Sequence, residues 1–192
     1  MRRSCFRLLP FLMLISISIN VSAQDNFFKK IRPHEITIQY AGNVGLMSFG
    51  PTWNYGNHNC LETTLLLGYI PGYGVYKDAL CFSCRQVYTP WKIDIKNNIN
   101  LKPVSIGVMA SVISGKEYWI IEPSYYPDNY YGTMTRLRFH LLLGFQLDFD
   151  SRRKSVYFQS NTYDLAIINC FHSKYLKPKD IIGFAIGVKI KR

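Results

Sequence analysis

After Ala23 the sequence has no apolar run approaching the ~20 residues that a membrane-crossing helix needs. That leaves two options for the rest of the chain: a soluble fold, or a membrane crossed by strands. Acidic residues are scarce, with 12 Asp and Glu against 23 Lys and Arg. The basic residues are scattered and not striped with stacking aromatics, so nucleic acid is not expected as a partner. There is no internal repeat and no low-complexity linker, which leaves one continuous domain. Cysteine is sparse as well, at 5 residues, and only Cys60, Cys81, Cys84 and Cys170 lie beyond the leading segment. In an oxidising compartment they leave room for one disulfide; otherwise they act as small apolar fillers. Cys81-Phe82-Ser83-Cys84 has redox-pair spacing, but it lies in a strand-like run, where positions three apart face opposite ways and no helix start is at hand. A zinc site from His58 with Cys60, Cys81 and Cys84 would need irregular spacing. No metal and no cofactor are expected.

The leading residues have their own signature. Arg2, Arg3 and Arg7 form a charged head, Leu8 to Val21 an apolar middle, and Val21-Ser22-Ala23 a small-residue cleavage site. Residues 1–23 read as a secretory signal peptide, with the mature domain at 24–192. Cys5 lies in the charged head and not at the cleavage point, which argues against a lipid-anchored lipoprotein. Removing the three leading arginines lowers the basic count from 23 to 20 against 12 acidic residues, a net charge of about +8. Such a surface is either simply solvated or attracted to anionic headgroups.

What the domain has in abundance is alternation. From Leu137 to Phe149 every second residue is large and apolar: Leu137, Phe139, Leu141, Leu143, Phe145, Leu147 and Phe149. Between them lie Arg138, His140, Gly144, Gln146 and Asp148, with Leu142 the exception. Period two is the strand period. At about 3.4 Å per residue the run spans roughly 44 Å, and tilted by about 45° it crosses roughly 30 Å, the hydrocarbon thickness of a bilayer. Further runs are Glu35–Ala41, Leu46–Trp53, Leu61–Tyr69, Leu80–Tyr88, Pro103–Ile113, Ser155–Phe171 and Asp180–Lys191, and the alternating stretch itself belongs to a sixth run bounded at Thr135–Phe149. The seventh is expected to carry a bulge near Asp164. In the last, Ile182, Phe184, Ile186, Val188 and Ile190 alternate with Gly183, Ala185 and Gly187, large outward and small inward as a narrow barrel wall requires. The expected fold is all-β: a single up-and-down antiparallel β-barrel of eight transmembrane strands in an outer membrane. Fourteen Tyr and twelve Phe suit the aromatic girdles of such a barrel. The sequence also departs from the pattern in two places: the first outer connection is very short, and the chain ends in Lys189, Lys191 and Arg192 where such barrels commonly end on an aromatic residue.

Four segments carry a resemblance: Gln39-Tyr40-Ala41-Gly42-Asn43-Val44-Gly45-Leu46, Leu67-Gly68-Tyr69-Ile70-Pro71, Tyr88-Thr89-Pro90-Trp91 and Tyr175-Leu176-Lys177-Pro178-Lys179-Asp180. From about residue 33 to the end the chain resembles a group of small, uncharacterised outer-membrane β-barrel proteins of Bacteroidota. The resemblance implies a closed barrel in the outer membrane and carries over no catalytic residue.

Two sets of candidate site residues follow. The inward face should hold a polar cluster of Glu62, Arg85, Arg138, His140, Gln146 and Asp148. Buried charges must pair or meet water, and an eight-stranded interior holds little beyond side chains, so the expectation is a plug of salt bridges; a polar path for a small solute or proton is the other reading. The outer loop between the fifth and sixth runs carries Tyr118, Trp119, Tyr125, Tyr126, Tyr130 and Tyr131, binding candidates because such rings offer rigid contact area. These residues could instead pack on the barrel mouth.

The expected role is structural or interactive, with outer-membrane lipid as partner and lipopolysaccharide or surface polysaccharide as candidates for the loops. One alternative is a lipid A-modifying outer-membrane enzyme. His172-Ser173 invites that comparison, yet adjacent strand residues face opposite ways and cannot react as a pair. Asp128 and Ser124 are available to His172 by composition only. The other alternative is a soluble periplasmic barrel with an apolar ligand.

Overall fold

A computed structural model describes residues 32–72, 74, 77–95, 99–115, 118–119, 134–164, 167 and 181–192. The expected signal peptide lies outside the described residues. The strands are β1 Glu35–Ala41, β2 Met47–Tyr55, β3 Leu61–Ile70, β4 Ala79–Tyr88, β5 Ile93–Ile95, β6 Ile99–Ile113, β7 Leu137–Phe149, β8 Lys154–Tyr163 and β9 Gly183–Lys191. Eight of them run in the order β4-β3-β2-β1-β9-β8-β7-β6, and a β4–β6 pairing closes the ring. Every neighbouring pair is antiparallel, and β5 is a short spur on β6. The fold is therefore a closed, up-and-down, eight-stranded antiparallel barrel. Closure removes every free wall edge, the one arrangement in which strands leave no backbone donor or acceptor facing hydrocarbon.

The two faces of the wall have opposite chemistry, and period two sets both. On β7, Phe139, Leu141 and Leu143 are 55%, 56% and 56% exposed, whereas His140 is 3% exposed. The outer wall continues through Ile36, Ile38 and Tyr40 on β1, Phe49 on β2, Phe82 on β4, Ile106 and Val108 on β6, and Phe184 and Ile186 on β9. Phe145, Phe158 and Phe184 form a ladder across β7, β8 and β9, with ring centroids 5.8 and 5.7 Å apart. A soluble monomer rarely exposes an apolar patch beyond a few hundred Å², so a belt around the whole wall belongs in an apolar medium. Inside the barrel, buried positions are dominated by polar side chains such as Thr37, Gln39, Thr52, Thr64, Arg85 and Lys189.

Two apparent exceptions to alternation resolve inside the barrel. Leu66, in the middle of the Leu65-Leu66-Leu67 run, points inward and is fully buried. Leu142 joins Val44, Cys81 and Met109 in an apolar cluster. Val44 reaches that cluster from the short β1–β2 connection. Gly42, Asn43 and Gly45 all have positive φ there (90°, 61° and 123°), and the Asn161 amide donates to the Gly42 carbonyl. The very short outer connection is thus an inward-folded turn.

Several strand ends lie one to three residues from those of the sequence runs, and three departures are larger. β8 ends at Tyr163 and Asp164 is helical, so no bulged strand continues through Asp164; residues 165, 166 and 168–171 of that expected run lie outside the described residues. β6 begins at Ile99, four residues before Pro103, because a bulge between Lys102 and Ser105 absorbs the proline, which cannot donate to the ladder. That extra residue reverses the parity: Asn100 and Lys102 face inward before the bulge, as do Gly107, Met109 and Ser111 after it. β5 was not anticipated.

Four connections lie at one end of the barrel, following β1, β3, β6 and β8, and include the long ones. The opposite end holds the link between β2 and β3, the β7–β8 turn and both ends of the barrel chain. There the His34 amide donates to Thr52 at 2.9 Å and the Arg192 amide to His34 at 3.0 Å.

Candidate functional site: a polar network across the barrel interior

All eight barrel strands contribute to one interior network. Arg85 on β4 lies at its centre. Its Nη2 donates to Glu62 Oε1 at 3.0 Å and Thr64 Oγ1 at 3.2 Å, both on β3. Its Nη1 donates to Gln39 on β1 at 3.1 Å and Gln159 on β8 at 3.3 Å. The guanidinium lies 4.7 Å from the centre of the Tyr157 ring, and the Tyr157 hydroxyl donates to Gln39 at 2.7 Å. Tyr157 fits because its cross-strand partner on β9 is Gly187; a Cβ there would run into the phenol. A threonine chain links β1, β2 and β3, with Thr37–Thr52 at 2.6 Å and Thr52–Thr64 at 3.0 Å.

Glu62 also accepts a hydrogen bond from Lys189 on β9. Lys189 in turn donates to Gln146 Oε1 at 2.6 Å, and Gln146 Nε2 donates to Asp148 at 2.5 Å, both on β7. The second Asp148 oxygen pairs with Lys102 on β6 at 3.2 Å. Glu62 therefore sits between two cations, and Asp148 neutralises the third. Removing a charge from water is costly unless its partners replace the lost hydration, and this relay of ion pairs and amides does so strand to strand. Arg85 and Lys189 are 1% and 2% exposed.

Of the expected interior residues, Glu62, Arg85, Gln146 and Asp148 belong to this network. Arg138 and His140 do not touch it. The Ser111–His140 pair, at 2.7 Å, forms a separate contact, with Tyr163 6.1 Å from His140 ring to ring. Arg138 donates to the Met134 carbonyl at 2.8 Å and pairs with Asp164 at 3.8 Å, so it works at the rim. Among the loop candidates, Tyr118 and Trp119 are partly buried, and the Trp119 backbone bonds Thr135 and Arg136. Tyr125, Tyr126, Tyr130 and Tyr131 lie outside the described residues, as do Ser124, Asp128, Cys170, His172 and Ser173. Cys81 is buried inward and Cys84 exposed outward, on opposite faces of β4.

Several network members were absent from the sequence-derived set: Gln39, Lys102, Tyr157, Gln159 and Lys189. Lys189 shares parity with Gly183, Ala185 and Gly187, so the alternation of β9 already pointed it inward. Gln39 could be found the same way on β1. Lys102 could not, because the bulge at Pro103 reverses the parity that a continuous strand would give it.

No family model matches this chain, and no curated protein matches it. Among solved structures, the crystal structure of the outer membrane enzyme PagL is similar to it at 17% identity, covering 82% of this chain and 98% of that one, with a TM-score of 0.44.

Proposed function

We propose that this chain is an exported outer-membrane β-barrel of the Bacteroidota group it resembles, with a structural or surface-interaction role and an interior closed to solutes. The observation that carries the reading is the inverted polarity of the wall: an apolar belt outside, a paired polar network inside. Lipid is the partner the belt calls for. Lipopolysaccharide or surface polysaccharide is the partner proposed for the long connections, including the segment with Tyr118 and Trp119. A soluble barrel with an apolar ligand would need the reverse, since its ligand would have to sit against Arg85, Glu62 and Lys189.

Fractionation of a Gram-negative host expressing the full chain tests this. The protein should pellet with the outer membrane, resist extraction by salt and carbonate, dissolve in detergent, and migrate differently on a gel before and after boiling. Release with the periplasmic contents by osmotic shock would refute the membrane placement. Lipid A from matched deletion and parent strains should give identical mass spectra; a mass difference would favour the enzymatic alternative.

A further inference from the structure

We infer that the basic flank of the short-turn rim, built from the β7–β8 turn and the ends of β8 and β9, docks anionic phospholipid headgroups. The inference rests on the membrane placement proposed above and adds a lipid preference to it. Arg152, Arg153 and Lys154 follow one another through the 3-10 turn Asp150–Arg152 into β8. The Lys191 amide donates to the Arg153 carbonyl at 2.9 Å, which ties the chain terminus to this turn and brings Arg192 alongside. Arg152, Arg153, Lys154 and Arg192 are exposed, and none forms an ion pair among the described residues.

What lies next to these cations identifies the occupant. Lys154 stands directly opposite Ile190, which stands opposite Ile36. The next outward rank is Val156, Val188 and Ile38, and the one after it Phe158, Ile186 and Tyr40. Cationic heads therefore begin where rows of aliphatic and aromatic side chains end. A phospholipid has that same order, phosphate above acyl chain, and a lysine stem can lie along the rows with its ammonium at the phosphate level. The rest of this rim differs. Around β2, β3 and β4 it carries Trp53, Tyr55, Tyr88 and Trp91, with Lys92 paired to Asp94 at 3.9 Å. An anionic polymer in the aqueous space would not need cations continuous with an apolar wall. Positive charge clustered within about one Debye length acts jointly on an anionic surface.

The test uses the full chain refolded into nanodiscs of equal phosphatidylcholine and phosphatidylglycerol, released into mild detergent, with retained lipids counted by native mass spectrometry. Wild-type protein should retain phosphatidylglycerol in about fivefold or greater excess, and the excess should shrink as salt is raised to roughly 0.5 M. Arg152→Gln/Arg153→Gln/Lys154→Gln/Arg192→Gln should abolish the excess, while Lys92→Gln keeps it. The boiling-dependent gel shift verifies folding. If the fourfold variant lacks that shift, the wild-type salt series and Arg152→Gln/Arg153→Gln decide. No excess in wild type, or the same excess in a folded variant, overturns the inference, as does sedimentation with purified peptidoglycan in its place. Failure to enter the bilayer at all is a different result and refutes the membrane placement itself.

Discussion

Glu62→Gln is the most informative single change in the interior. The native carboxylate is 8% exposed and sits between Arg85 Nη2 at 3.0 Å and Lys189 Nζ. At an effective dielectric of about 20, each of these contacts has a gross attraction of about 5 kcal/mol before desolvation is subtracted. Glutamine preserves the shape and one acceptor but leaves two buried cations facing each other without a counter-charge. Breaking a buried pair by removing one partner costs about 3–5 kcal/mol, so Glu62→Gln should destabilise the barrel by that amount. Lys189→Met added to Glu62→Gln removes one of the stranded cations, and the double variant should regain about half the loss, a coupling of more than about 1 kcal/mol. Urea unfolding in lipid vesicles, followed by the fluorescence of the three tryptophans, measures both. A loss under about 0.5 kcal/mol for Glu62→Gln, or strictly additive effects, would mean that the network does not hold the interior together, and the reasoning from buried charge would fail.

Other consequences follow from the same geometry. Leu141→Arg places a charge on the outward face of β7 at a position 56% exposed; in hydrocarbon it should cost about 2–4 kcal/mol in vesicle unfolding, whereas a water-facing site would tolerate it within about 0.5 kcal/mol. In single-cysteine proteins, a bulky maleimide attached in urea should leave refolding intact at Cys84 and block it at Cys81, read by the gel shift; equal refolding at both would contradict their opposite placement. Proteoliposomes should show no swelling in isotonic arabinose above the protein-free rate, because the network spans the interior; rapid swelling would show an open path.

The fold was legible because alternation survives in the sequence wherever one face meets apolar surroundings. Leu137 to Phe149 reads directly as β7, and Glu35–Ala41 matches β1 residue for residue. Legibility fails where a residue obeys a non-local constraint. Leu142 breaks the pattern because Val44, folded in from a turn distant in sequence, provides it an apolar neighbour. Lys102 reads as outward until the bulge at Pro103 is known. The seventh run reads as strand through Asp164, yet the β8 ladder with β7 ends at the His140–Tyr163 pair and Asp164 is already helical, a change set by the partner strand and not by the local pattern. The interior site was half legible. Parity identifies which side chains enter the barrel, but only the register between strands decides which of them meet. That is why Arg138 and His140 lie apart from Glu62 and Arg85, while Lys189, at the far end of the sequence, touches Glu62.

The most direct measurement is a map of contacts between acyl-chain methylenes and β7 by intermolecular NOE, on isotope-labelled protein refolded in bicelles. Side chains of Leu137, Phe139, Leu141, Leu143 and Phe145 should show lipid cross-peaks, and His140, Leu142 and Gln146 none, a period of two along the strand. Cross-peaks at both parities, or odd-numbered side chains contacting a second protein layer and no lipid, would contradict the account of a closed barrel with its oily face turned outward.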